Sequence, residues 1–155
     1  MRRLFILLVV TLVGGSSLAQ AQREKLPPRD LVQVEQKWPN AVRTSTGLYT
    51  EIMSEGTGAK PQRGDTVSVL YKGFLLNGTM FDSAEDPANL FTFQLARGRV
   101  IGGWEFGLLM MREGETRRLI VPFELGYGTR GRAPDIPRQA TLIFEVELVK
   151  IEPRQ

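Results

Sequence analysis

Apolar and polar positions alternate with period two through much of the chain after residue 47, the pattern of strands that bury one face. Residues 47–53 read as a strand closed by the turn-forming Ser54-Glu55-Gly56-Thr57-Gly58, and 61–65 as a second turn. Along 66–76, Val67, Val69, Tyr71, Gly73 and Leu75 share one face. Asn77-Gly78 then favours a tight hairpin turn, which makes 79–82 the return strand. A polar loop at 83–89 precedes renewed alternation over 90–95. Residues 115–122 and 140–151 supply further strands, the last presenting Leu142, Phe144, Val146 and Leu148 on one side.

The period changes at 100–111. Ile101, Trp104, Leu108 and Met111 fall at steps of three and four, which predicts a short helix with one apolar face, closed by Gly114 as a C-terminal cap. Residues 124–139 are too rich in Gly and Pro-flanked steps for regular structure. Five or six strands joined by hairpin-type connections, against one helix, predict an α+β domain: an antiparallel sheet packed on one short helix. Such a pairing, with aromatics between, forms an apolar pocket more naturally than a metal or phosphate site.

Residues 22–46 differ in texture. Pro27-Pro28 and Trp38-Pro39 interrupt them, and Leu26, Leu31, Val32 and Val34 show only a weak helical rhythm, so they read as a tether or loosely packed N-terminal arm. Ahead of them, Arg2-Arg3, the apolar run 4–13 and Ala19-Gln20-Ala21 have the order of a secretory signal peptide cleaved after Ala21. The apolar run is short for a membrane anchor. The chain therefore divides into a signal peptide (1–21), an arm (22–46) and a folded domain (47–155), destined for the periplasm or for secretion, without stable membrane association after cleavage.

Composition narrows the chemistry. Cleavage removes two arginines and no acid, leaving 18 Lys+Arg against 17 Asp+Glu. No basic stripe suggests nucleic acid, and Arg112, Arg117 and Arg118, interleaved with Glu113 and Glu115, read as solvated surface. The chain has no Cys and no His, which excludes disulfides, thiol catalysis and His-assisted nucleophiles. Asp82, Glu85 and Asp86 lack the spacing of a calcium loop, and Gly98, Gly102, Gly103 and Gly107 lack the order of a nucleotide loop. What remains is aromatic: Tyr71, Phe81, Phe91, Phe93, Trp104, Tyr127 and Phe144. Periodicity alone leaves two readings open for these, ordinary core or a lined pocket.

Five ordered motifs carry a resemblance. They are Tyr71-Lys72-Gly73; Gly78-Thr79-Met80-Phe81-Asp82-Ser83; Val100-Ile101-Gly102-Gly103-Trp104-Glu105-Phe106-Gly107-Leu108; Gly126-Tyr127-Gly128; and Ile136-Pro137-Arg138-Gln139-Ala140-Thr141-Leu142-Ile143-Phe144. Together they resemble an FKBP-type peptidyl-prolyl cis-trans isomerase over about residues 47–152. The resemblance implies a half-open antiparallel sheet curled around the short helix, rotation about X-Pro bonds as the reaction, and no metal or cofactor. Tyr71, Phe81, Asp82, Tyr127 and Phe144 would be catalytic, and Phe91, Val100, Ile101, Trp104 and Ile136 would bind substrate. In that arrangement Trp104 is the pocket floor, Asp82 and Tyr127 lie near the substrate carbonyl, the Ile101 backbone makes a further contact and Ile136 belongs to an overhanging flap. Phe93 would pack behind the site. The implied partners are X-Pro polypeptides and immunosuppressant macrolides.

Three features depart from the family pattern or bear on its use. The flap carries Arg132, Asp135 and Arg138 where relatives often have other residues, and Ala96 stands where Gly is usual. The stretch 127–140 is too short to hold an inserted chaperone domain. The alternative reading is a non-catalytic peptide-binding or holdase module of the same fold, which would bind X-Pro peptides tightly without changing their cis-trans exchange rate. None of the motifs lies in 22–46, so a chain beginning near Ala41 is expected to retain activity.

Overall fold

A computed structural model describes residues 24–155. The signal-peptide reading of 1–21 lies outside the described residues. Helix α1 (Pro28–Lys37) leads into strands β1 (Val42–Arg43), β2 (Tyr49–Ser54), β3 (Thr66–Leu75), β4 (Met80–Ala84) and β5 (Phe91–Gln94). Helix α2 (Gly102–Met110), strand β6 (Thr116–Val121), a 3-10 turn (Phe123–Leu125) and strand β7 (Leu142–Glu152) complete the order. The strands form one antiparallel sheet in the order β1-β2-β6-β7-β3-β4.

β3 organises the site end of this sheet. One edge pairs with β7 along its length, while the other changes partner, taking β5 over Thr66–Val69 and β4 over Tyr71–Phe74. The change of partner sets β4, with Phe81 and Asp82, and β5, with Phe91 and Phe93, one after the other along β3. Asn77-Gly78 does turn the β3–β4 hairpin, with Gly78 at φ 92° and its N–H donating to Leu75 O at 2.9 Å.

The alternation read from the sequence separates two cores. Val67, Val69, Leu119, Val121, Leu142, Phe144, Val146 and Leu148 point to α2 and pack with Trp104, Leu108 and Met111. Phe74, Ile120 and Ile143 point the other way and meet Leu26, Leu31, Val34, Trp38 and Tyr49. The N-terminal segment is thus an ordered outer layer rather than a loose arm. Pro28 starts α1, Asp30 in its first turn and Lys37 in its last complement the helix dipole, and Leu31, Val34 and Trp38 line its inner face. Leu26 and Val34 are 3% and 1% exposed. Polar contacts pin the segment too: Tyr49 Oη donates to Glu24 at 2.6 Å, and Thr141 Oγ1 donates to Asp30 at 2.6 Å. A chain starting at Ala41 keeps every pocket motif but bares Tyr49, Ile120 and Ile143.

Two other expectations change. The Arg/Glu run at 112–118 is solvated only in part: Arg112 is exposed, but Arg117 is buried and Glu115 is 2% exposed, its carboxylate accepting from Arg117 Nε at 2.5 Å and from Arg112 N at 3.0 Å. Arg118 bridges Glu51 and Glu145 and lies 5.6 Å from the Trp38 ring centre. Gly114 does not cap α2, whose cap residue is Met111. It turns the chain into β6 at φ 85°, its N–H donating to Leu148 O.

The outer layer makes a direct prediction. Leu26→Ala should lower stability in urea by about 2 to 5 kcal/mol, as a buried truncation. Val32→Ala, six positions on and 52% exposed, should shift it by no more than about 0.5 kcal/mol. Equal midpoints for the two variants would show that the segment does not pack as described.

Candidate active site

α2 rests on the sheet through glycine. A Cβ at Gly103 would stand 2.5 Å from Val121 Cγ1, and one at Gly107 would stand 2.6 Å from Leu119 Cδ1. These residues, which only superficially evoke a nucleotide loop, are what let the helix lie directly on β6. That approach sets Trp104 among the rings of the sheet. Its centroid is 4.9 Å from Tyr71, 5.4 Å from Phe144, and 6.0 Å from both Phe91 and Phe93. The Tyr71 and Phe144 contacts are edge-to-face, the geometry that ring quadrupoles favour. Phe81 meets Phe144 edge-on at 5.6 Å, in space that Gly73 leaves open: a Cβ there would fall 2.9 Å from Phe81 Cζ and 3.0 Å from Phe144 Cε1.

A cavity of about 270 Å³ opens above Trp104. Nine of the ten residues expected at the site line it: Tyr71, Phe81, Asp82, Phe91, Val100, Ile101, Trp104, Tyr127 and Phe144. Phe93 is buried behind Phe91 and Trp104, as expected. Ile136 is the exception. At 2% exposure it belongs to the inner core and does not line the cavity, because the flap folds back as a small hairpin in which Arg132 and Ile136 exchange two 2.8 Å backbone hydrogen bonds. The sequence reading missed Arg99 as a lining residue and noted Arg132 only as a departure; both face the cavity. An arginine two residues before Ile101 was the available signal.

Residues 57–149 match the family described as "FKBP-type peptidyl-prolyl cis-trans isomerase". The chain belongs to that family. Among curated relatives, it is 54% identical over 95 residues to "Peptidyl-prolyl cis-trans isomerase FKBP2" of Mus musculus, covering 61% of this chain and 68% of the relative. It is 47% identical over 105 residues to an "FK506-binding protein" of Neisseria meningitidis serogroup B, covering 68% and 96%. "FK506-binding protein 1" of Dictyostelium discoideum is 45% identical over 103 residues, covering 66% and 96%. The fold and the aromatic cluster agree: this is an FKBP-type peptidyl-prolyl cis-trans isomerase.

The polar groups of the isomerase pocket form two hydrogen-bonded pairs. Tyr71 Oη donates to Asp82 Oδ2 at 2.9 Å. Arg132 Nη1 donates to Tyr127 Oη at 3.4 Å, and the guanidinium lies 5.1 Å from the centre of that ring. Burial first, then the hydrogen bond to Asp82 and its charge, pushes the Tyr71 phenol up to about 12. The loop before α2 is tied down by Glu105, whose carboxylate accepts from Ala96 N and from Gly98 N, the latter at 3.1 Å. Ala96 itself sits at φ 59°. A left-handed residue other than Gly costs about 1 kcal/mol, and the Glu105 bond helps hold it there.

Tyr71 gives a pH signature. Its folded pKa lies above the ordinary tyrosine value of about 10, so the stability it contributes is present below pH 10 and is lost as pH climbs toward 12. Tyr49 is also raised, chiefly by burial and then by its bond to Glu24. Ultraviolet titration should therefore show at least two of the three tyrosines ionising above about pH 11. Tyr71→Phe should remove the step near 12; a spectrum in which all three ionise together at about 10 would contradict the partly buried Tyr71–Asp82 bond.

Proposed function

We propose that this isomerase acts on X-Pro bonds in exported polypeptides, seating the proline ring on Trp104 and holding the preceding amide twisted. Export is supported by Arg2-Arg3, the apolar run and Ala19-Gln20-Ala21. Among the described residues no helix is long and apolar enough to cross a membrane. The observation that carries the mechanism is the cavity itself: a Trp104 floor with Phe81, Phe91, Val100, Ile101 and Phe144 in its lining, and Tyr71, Asp82, Arg99, Tyr127 and Arg132 as its polar residues.

Rotation about an amide C–N bond faces a barrier of about 18 to 20 kcal/mol because resonance must be broken. The twisted amide has lost C–N double-bond character, and its carbonyl is less dipolar than that of the planar ground state. A dry aromatic pocket penalises the planar form more, and so binds the transition state differentially. No covalent intermediate or proton transfer is required. Phe81, Phe91 and Phe144 with Val100 would form the apolar walls. The Ile101 carbonyl already accepts from Trp104 N and Glu105 N in the first turn of α2, so the proposed backbone contact at Ile101 falls to its N–H.

The polar residues would contribute the remainder. Asp82 and Tyr127, which line the cavity, would interact with the reacting amide as its charge distribution changes, and the Tyr71 hydroxyl, bonded to Asp82, would hold that carboxylate in place. Macrolides of the FK506 class, named in the relatives' descriptions, are proposed to occupy the same cavity.

Exchange measurements on a short X-Pro peptide test this assignment. Tyr127→Phe and Asp82→Asn should each slow catalysis several-fold, the rate equivalent of one hydrogen bond of about 0.5 to 1.5 kcal/mol, with denaturant midpoints nearly unchanged. Phe144→Ala should instead cost about 3 to 5 kcal/mol of stability. Unaltered rates in both polar variants would remove the polar half of the mechanism, and tight peptide binding without acceleration by the unmutated protein would favour the holdase reading.

A further inference from the structure

We propose that Arg99 and Arg132 form a carboxylate-receiving rim that makes this isomerase prefer X-Pro segments with an acidic residue beside the proline. The proposal rests on the isomerase reading and names the substrate class within it. Both arginines line the cavity, and the only other charged lining residue is Asp82, whose carboxylate already accepts the Tyr71 hydroxyl. Neither arginine is in an ion pair among the described residues, whereas Arg43, Lys72, Arg117 and Arg118 are. The rim thus carries two guanidiniums against one engaged carboxylate.

Their supports are ordered. Arg132 sits at the base of the flap hairpin, its backbone N–H and C=O both bonded to Ile136. Its guanidinium lies over the Tyr127 ring and donates to that hydroxyl through one nitrogen, leaving further N–H donors of the planar fork for another acceptor. Arg99 rides on the loop that Glu105 fastens at Ala96 and Gly98. Since the loop continues directly into Val100 and Ile101 of the cavity wall, Arg99 lies beside the path of any bound chain. Guanidinium donates paired N–H···O bonds to a planar carboxylate, while a lysine at the same substrate position would meet two like charges. Both side chains are exposed, so solvent and salt weaken the effect. A selectivity of about three- to tenfold follows from two such screened pairs.

The test compares uncharged-ended tetrapeptides differing only at the residue before proline, or at the residue after it, with Glu, Gln or Lys in that place. The catalysed exchange rate, as kcat/KM, should rank Glu above Gln above Lys at one or both positions in low salt, with Glu over Gln by about three- to tenfold. High salt should compress that ratio, and the double variant Arg99→Gln/Arg132→Gln should bring it close to one. Reading a ratio within each protein separates lost charge recognition from any general fall in activity. Equal Glu and Gln rates at both positions would overturn the proposal while leaving the isomerase assignment standing, as would a ratio unchanged in the double variant. Failure to accelerate any of the peptides would overturn the isomerase reading, and this proposal with it.

Discussion

The close approach of α2 to β6 is the constraint on which the rest depends. Gly103 and Gly107 stand one helical turn apart on the face that meets Val121 and Leu119, and neither position has room for a methyl group. Removing side chains there lowers the helix onto the sheet, which drives Trp104, the next residue after Gly103, into the space between β3, β5 and β7. Four rings then fix the indole from the sides. The cavity is the volume left above it, so its floor is set by backbone packing and not by a loop.

The sheet that receives the helix is itself supported from behind. Ile120 and Ile143 alternate with Leu119, Val121, Leu142 and Phe144, so that the same strands that hold the pocket on one face hold α1 on the other. The polar chemistry is laid on this platform at the rim. Tyr71 and Asp82 come from paired β3 and β4, Tyr127 and Arg132 from the segment between β6 and β7, and Arg99 from the loop into α2. Apolar rigidity in the floor and polar groups at the rim divide the work: the floor, with Asp82 and Tyr127, would act on the amide, and Arg99 and Arg132 on its flanking residues.

How much of this was legible follows from the physics of each signal. Period-two alternation recovered the strands from 47 onward within a residue or two, because burying one face of a sheet writes directly into sequence. The pocket residues came from the resemblance that the ordered motifs carry; nine of ten meet at one cavity. Alternation and helical spacing alone left core and pocket undivided, since Phe144 serves both. α1 was missed because Pro27-Pro28 and Trp38-Pro39 looked like breaks, although Pro28 starts the helix and Pro39 follows its end. The spacing of Leu31, Val34 and Trp38 held the missing signal. Glu115 and Arg117 were hidden by composition, because mixed charge usually means solvent, and a buried pair differs only in its neighbours. Ile136 stands apart for a local reason: the flap hairpin turns it into the core while leaving Arg132 among the cavity-lining residues.

The most direct test of the floor is kcat/KM on a Leu-Pro peptide for Gly103→Ala and Gly107→Ala, measured where near-ultraviolet circular dichroism shows each variant folded. If the glycine contacts set the height of Trp104, a shift approaching 1 Å in the floor should lower kcat/KM by roughly ten- to a hundredfold in whichever variant remains folded. A folded Gly103→Ala protein isomerising the peptide at the unmutated rate would contradict the account.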